Sequence, residues 1–118
     1  MFEPILTPLF TDLKTLSDVA LVSYEGLVLE HYRREETLES LDRVNAITPL
    51  IQQMKTGFQL MGLGEVTSLS LEGPNRKFIC CPIDHSYLLV GIVDAEEYEG
   101  RVVFELSSAA AEMLGHFH

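Results

Sequence analysis

Ile5, Leu6, Leu9, Leu13 and Leu16 recur at steps of three and four, a spacing that predicts a first helix over residues 2–16. Pro4 stands near its start, where a missing backbone donor does no harm, and Pro8 stands where it breaks or delays the helix. The pattern then changes. Asp18-Val-Ala-Leu-Val-Ser-Tyr-Glu-Gly-Leu-Val-Leu-Glu-His-Tyr32 carries two apolar runs around Glu25-Gly26, a pair that fits a chain reversal, and so predicts an antiparallel hairpin. Residues 33–37 form a charged link. Helical spacing returns from Glu39 and runs to Met61, where Gly62-Leu63-Gly64 can take the left-handed conformation that ends a helix.

This second helix carries two stripes. Val44, Ile47, Ile51, Met54, Phe58 and Met61 form a seam suited to packing on the domain's own sheet. Ala46, Leu50, Gln53, Gly57 and Leu60 form a neighbouring stripe that is small and partly apolar, and together the two are wider than one sheet face requires. Small residues let another helix approach closely, so the second stripe is expected to meet a partner helix, most simply its own copy across a two-fold axis. The alternative is that the width reflects deep burial within one protomer. Pro49 falls on the polar side of the wheel; it either kinks a continuous helix or, with Thr48 as the cap, begins one.

Three strands are expected next. Residues 65–72 alternate Val66, Ser68 and Ser70 against Thr67, Leu69 and Leu71, which suits a half-buried or edge strand. Gly73-Pro74-Asn75 turns the chain into a strand over 76–83, and Asp84-His85-Ser86 turns it into another over 87–93. That last run is apolar on both faces and belongs at the centre of a sheet. An acidic loop over 95–100 leads to an alanine-rich helix over 102–113.

Composition narrows the class. The 118 residues fit one domain, 1–118, and with 47% apolar and 22% charged residues the chain reads as globular. Its longest uncharged apolar run, 87–93, is far short of the roughly 20 residues a spanning helix needs, and Glu3-Pro4 stands where a secretory leader would be basic. A cytoplasmic protein is expected. Eighteen acidic against eight basic residues give a net charge of −10, which disfavours nucleic acid and anionic lipid. The acidic residues are scattered, as on solvated faces, rather than gathered into a docking patch for a basic partner. Cys80 and Cys81 are adjacent in a strand and so point to opposite faces, poorly placed to bond each other; small buried apolar roles suit them.

The order helix, hairpin, long helix, three-stranded meander, helix resembles the Roadblock/LC7 family. Three stretches carry the resemblance: Val19-Ala-Leu-Val-Ser-Tyr-Glu-Gly-Leu-Val-Leu at the hairpin, Gln59-Leu-Met-Gly-Leu-Gly-Glu at the end of the long helix, and Tyr87-Leu-Leu-Val-Gly-Ile-Val in the fifth strand. Pro49 and the Cys80-Cys81 pair depart from the family's pattern. The resemblance implies an α+β fold, a five-stranded antiparallel sheet between one long helix and two shorter ones. It also implies a homodimer in which long helices and third strands pair, placing Thr67 and Leu69 beside the helical stripe. Bacterial and archaeal members resemble partners and regulators of small Ras-like GTPases, docked on the paired long helices; eukaryotic members are dynein light chains or subunits of GTPase scaffolds.

No catalytic constellation accompanies these elements. Gly62-Leu63-Gly64 follows a helix and lacks the third glycine of a dinucleotide loop, and there is no phosphate-binding Gly-x-x-x-x-Gly-Lys-Ser/Thr run. Asp84-His85-Ser86 holds the residue types of a hydrolase triad, but consecutive turn residues cannot align base and nucleophile. His31 stands alone; His116 and His118 could grip a metal only weakly. Arg33-Arg34 is the one paired-basic feature, a candidate partner contact, although solvated loop charges explain it as well. Expected, then, are no catalytic, cofactor-binding or metal-ligating residues and a non-enzymatic, homodimeric regulator or scaffold of a small GTPase. The alternative is a small-molecule-sensing or general protein-interaction domain, which in the sensing case should enclose a cavity with polar anchors.

Overall fold

The computed structural model describes residues 1–117. Helices α1 (Glu3–Leu6) and α2 (Leu9–Asp12) come first, then the hairpin strands β1 (Asp18–Ser23) and β2 (Val28–Arg33). The long helix α3 (Leu38–Leu60) follows, then β3 (Leu69–Glu72), β4 (Arg76–Pro82), β5 (Tyr87–Asp94) and α4 (Glu99–Leu114). The strands form one antiparallel sheet in the order β2-β1-β5-β4-β3, with the apolar β5 at its centre as expected.

Alternation along the strands feeds two cores. Ala20, Val22, Cys80, Leu88 and Val90 point to one face, where Ile47, Ile51 and Met54 of α3 and Val66 cover them. Val19, Leu21, Ile79, Cys81, Leu89 and Val93 point to the other, beneath Leu6, Leu9, Leu13, Leu106 and Met113 from α1, α2 and α4. Each valine, leucine, isoleucine or methionine among them, fully buried, is worth roughly 1.5–3 kcal/mol. Cys80 and Cys81 therefore belong to different cores, both thiols free.

The local chemistry explains the boundaries. The expected first helix is two short pieces: Pro8 has no amide to continue the ladder, and the chain restarts with Phe10 and Thr11 donating back to Thr7 and Pro8. A capping box opens α3, Thr37 Oγ1 accepting from Ser40 N at 3.1 Å and Thr37 N donating to Ser40 Oγ at 2.9 Å. The glycine stop ends it: Gly62 has φ +72°, and Leu63 N reaches back to Phe58 O at 2.9 Å. Between these ends the helix is unbroken, so Pro49 lies inside a continuous helix and does not start one.

Two expectations need correction. Strand β3 spans only Leu69–Glu72, not 65–72. Its register pairs Leu69 with Cys80, so Thr67 would oppose Pro82. Ile83 N donates across to Tyr87 O, and by alternation the neighbouring position aims its backbone at β3; there Pro82 has no amide to offer, and the ladder stops. Met61 is the second correction. Spacing places it in the buried seam, yet it is exposed, because the helix ends one residue before it.

The hairpin turn is clipped to α3. Thr48 Oγ1 donates to Gly26 O at 2.5 Å and Gln52 Nε2 to Glu25 O at 3.2 Å. Gly26 has φ +93°, and a Cβ there would lie 2.8 Å from Thr48 O, so both conformation and closeness call for glycine.

Candidate functional site

The surface that the sequence singles out is the outer side of α3. With Ile47, Ile51 and Met54 turned to the sheet, the second stripe is left in the open: Ala46 and Gln53 are exposed, Leu50 and Gly57 half-buried, and Leu60 is 84% exposed. Deep burial within the protomer is therefore not what makes the apolar face wide. Pro49, expected opposite the stripes, lies on this same side; with Gln52, Gln53, Thr56, Gly57 and Leu60 it lines a shallow groove of about 430 Å³. A Cβ at Gly57 would meet nothing within 4 Å. Leu38 and Leu41 at one end of α3 and Met61 and Leu63 past the other add exposed apolar surface.

Beyond the sheet-facing side of α3 runs the outer edge of β3. Leu69 and Leu71 direct their ladder bonds to β4, which leaves Ser70 and Glu72 with backbone groups facing outward. Leu69 packs half-buried against the α3-side core, and Thr67 is exposed in the segment leading in. The five helical positions lie on one face; Thr67 and Leu69 stand apart from it at the sheet edge.

Arg33 and Arg34 are occupied within the protomer. Arg33 donates to Ser40 Oγ at 3.1 Å and approaches Glu36 at 3.6 Å. Arg34 donates to three carbonyls, Leu16 O at 2.8 Å, Phe10 O at 2.6 Å and Leu13 O at 3.0 Å, and lies over the Phe10 ring at 5.3 Å. It caps the end of α2 and fixes the path into β1.

Sequence reasoning missed the charge cluster that anchors α3. Asp18, 1% exposed, accepts from Arg43 Nε at 2.7 Å and meets His31 Nε2 at 2.9 Å, so β1, β2 and α3 are joined at one carboxylate. Burial would push this carboxyl up, but hydrogen bonds from His31, Ser17 and Arg43 outweigh it and hold it below its ordinary value. The signal was available: Asp18 is a charge opening an otherwise apolar strand, with Arg43 on the sheet side of α3 to meet it.

The remaining polar candidates resolve simply. Asp84 Oδ1 accepts from Ser86 N at 2.8 Å and Tyr87 N at 2.9 Å, a polar turn with His85 exposed. His116 is exposed, its ring 6.1 Å from that of Phe2; His118 lies outside the described residues. Among the described residues no group of three His, Cys, Asp or Glu could hold a metal, and no helix is long and apolar enough to cross a membrane. Burial pushes the Cys80 thiol up to about 12, aided by Cys81, and moves Cys81 upward too.

No family model matches the chain, and no curated protein matches it in sequence. Solved structures do match. MglB of Myxococcus xanthus superposes with a TM-score of 0.81 at 18% identity, over 98% of this chain and 94% of that one. A Roadblock/LC7 domain from Streptomyces avermitilis gives 0.78 at 14% identity, over 98% and 96%. The gliding protein MglB from Thermus thermophilus gives 0.77 at 15% identity, over 97% and 86%. The fold is thus that of Roadblock/LC7 domains, an α+β sheet of five antiparallel strands between α3 and the shorter helices.

Proposed function

We propose that this chain acts as a single Roadblock/LC7-like domain, a non-enzymatic homodimer that binds a small Ras-like GTPase on its paired α3 helices and regulates or scaffolds it. The observation that carries the reading is the open second stripe of α3, in which Ala46, Gln53 and Leu60 are exposed and Gly57 is half-buried, with Leu50 at its margin packed partly against the chain's own core. A helix that leaves a leucine in water on a face with a small central residue is suited to close helix pairing. The outer edge of β3, apart from this face, with Leu69 in the strand and Thr67 in the segment leading in, would extend the contact. The fold shared with MglB supports the partner class. Arg33 and Arg34 already have partners in the protomer, so the reading rests on the helices rather than on this pair.

The sensor alternative asks for an enclosed cavity. The partly enclosed hollow under α3 between Tyr24, Met54, Val66 and Leu88 holds about 110 Å³. Small-molecule sites start at roughly 300 Å³, so the interaction reading is preferred.

Two measurements test the proposal. Gly57→Leu places a bulky side chain at the centre of the stripe, and light scattering at micromolar concentration should show monomer where the parent shows dimer; an unchanged mass would remove the seam from this face. A pull-down from the source cell with a GTP analogue or GDP should retain a small GTPase dependent on the nucleotide. Recovery of none in either condition would overturn the GTPase assignment.

A further inference from the structure

A cleft of about 230 Å³ opens where the α2–β1 link, the β2–α3 link, the first turns of α3 and the start of β4 meet. In a chain of net charge −10 with eight Lys and Arg in all, four of them, Lys14, Arg34, Arg43 and Arg76, line this one cleft. We propose that it binds a small phosphate-bearing anion.

Three features support a built site rather than scattered surface charge. Arg34 and Arg43 are already immobilised, the first by the carbonyls of Phe10, Leu13 and Leu16 and the second by Asp18 Oδ1 at 2.7 Å. Their remaining N–H groups are presented with little further entropy to lose, and planar guanidinium donors match the oxygens of a phosphate. Lys14 and Arg76 are exposed and have no side-chain partner among the described residues, so they can close on a ligand from either side. The N-terminus of the 23-residue α3 opens onto the cleft through Thr37 and Glu39, adding the partial positive charge of the helix dipole.

Charge and size narrow the ligand. Glu35 and Glu39 also line the cleft and Asp18 already pairs with Arg43, so one positive charge is left over for an anionic ligand. The volume is below the roughly 300 Å³ of drug-sized sites, so it takes a phosphate or one phosphoryl group with a short substituent, not a whole nucleotide. This inference does not depend on the dimer or the GTPase.

The test is an amide NMR titration of the full chain at constant ionic strength, with inorganic phosphate in one arm, glycerol phosphate in a second and chloride in a third. Expected are saturating shifts confined to Leu16, Ser17, Arg34, Thr37 and Glu39, half-complete in the low-millimolar range or below. Arg76→Gln and Lys14→Gln, both at exposed positions, should each weaken binding about fivefold, while Lys55→Gln, with the same change of net charge, leaves it unaltered. Saturation by inorganic phosphate identifies the free ion as the ligand; saturation by glycerol phosphate alone identifies a phosphomonoester. Linear shifts matched by chloride, or parental affinity in both cleft variants, would overturn the proposal.

Discussion

Gly26→Ala probes the joint between the hairpin and α3. Holding an L-residue in a left-handed conformation costs about 1–2 kcal/mol, and Gly26 sits at φ +93°. The added methyl would stand 2.8 Å from the Thr48 carbonyl oxygen, a backbone atom in mid-helix that cannot rotate aside. Hairpin and helix must separate, loosening the Thr48 Oγ1 to Gly26 O bond at 2.5 Å and the Gln52 Nε2 to Glu25 O bond at 3.2 Å. Each is worth about 0.5–1.5 kcal/mol, which brings the whole to about 2–5 kcal/mol. For 118 residues the unfolding entropy is about 0.25 kcal/mol/K, so the melting temperature should fall by about 8–20 °C. Circular dichroism melts and urea titrations at one fixed protein concentration measure this. Thr48→Val, which removes one hydroxyl and no backbone freedom, should lose only about 1 kcal/mol. Gly57→Ala makes the same chemical change in open space on an ordinary helix, and should instead stabilise the protomer by about 0.5–1 kcal/mol. A Gly26→Ala protein within about 1 kcal/mol of the parent would refute the reasoning.

Other expectations follow from the charge clusters and thiols. Asp18→Asn leaves Arg43 and His31 without their carboxylate and should cost about 3 kcal/mol at neutral pH. Because the folded state depresses this carboxyl below 3.8, its contribution is complete above that pH and fades as the pH falls further. Urea midpoints of parent and variant should therefore converge below about pH 4, and a constant gap would contradict the assignment. Arg34→Lys keeps the charge but cannot span three carbonyls, so it should lose about 1–2 kcal/mol in the same assay; parental stability would show that the fork is dispensable. Neither Cys80 nor Cys81 should react with a disulfide reagent in the native protein near pH 8, and both should react in urea. Rapid native labelling would disprove their burial.

Most of the architecture was legible because the sheet is two-sided and the strands say so. Val19, Leu21 and Ala20, Val22 alternate between two cores, while β5 is apolar on both faces and central. What was not legible depends on pairing partners distant in sequence. Residues 65–68 alternate like a strand, and only the register against Pro82 shows why they cannot form one. Pro8 announces a break without saying that both halves stay helical. The open stripe of α3 was readable from spacing, but its exposure was not, since a wide apolar face looks the same whether its own chain or another covers it. The Arg34 contacts lay beyond reach as well: its three acceptors are backbone carbonyls, which carry no residue identity.

The two layers flanking the sheet are unequal in how firmly they hold. Helix α4, 16 residues long, buries Val102, Leu106, Ala109, Ala110 and Met113, and the N-terminal helices add Leu6 and Leu9, whereas α3, 23 residues long, buries only Ser40, Ile47, Ile51 and Met54. Its other ties include the partly buried Val44, Leu50 and Phe58, the Asp18 cluster and the Arg33 to Ser40 bond near one end, and the Thr48 and Gln52 clip near the middle. In native-state hydrogen exchange the lone protomer should therefore behave as two cooperative units, the amides of the last turns of α3 opening well before those of β1 and β5. Anything that settles on the outer face of α3 then does more than bind. It draws on a pre-existing opening equilibrium, and its affinity is set in part by the free energy of keeping a loosely held helix shut.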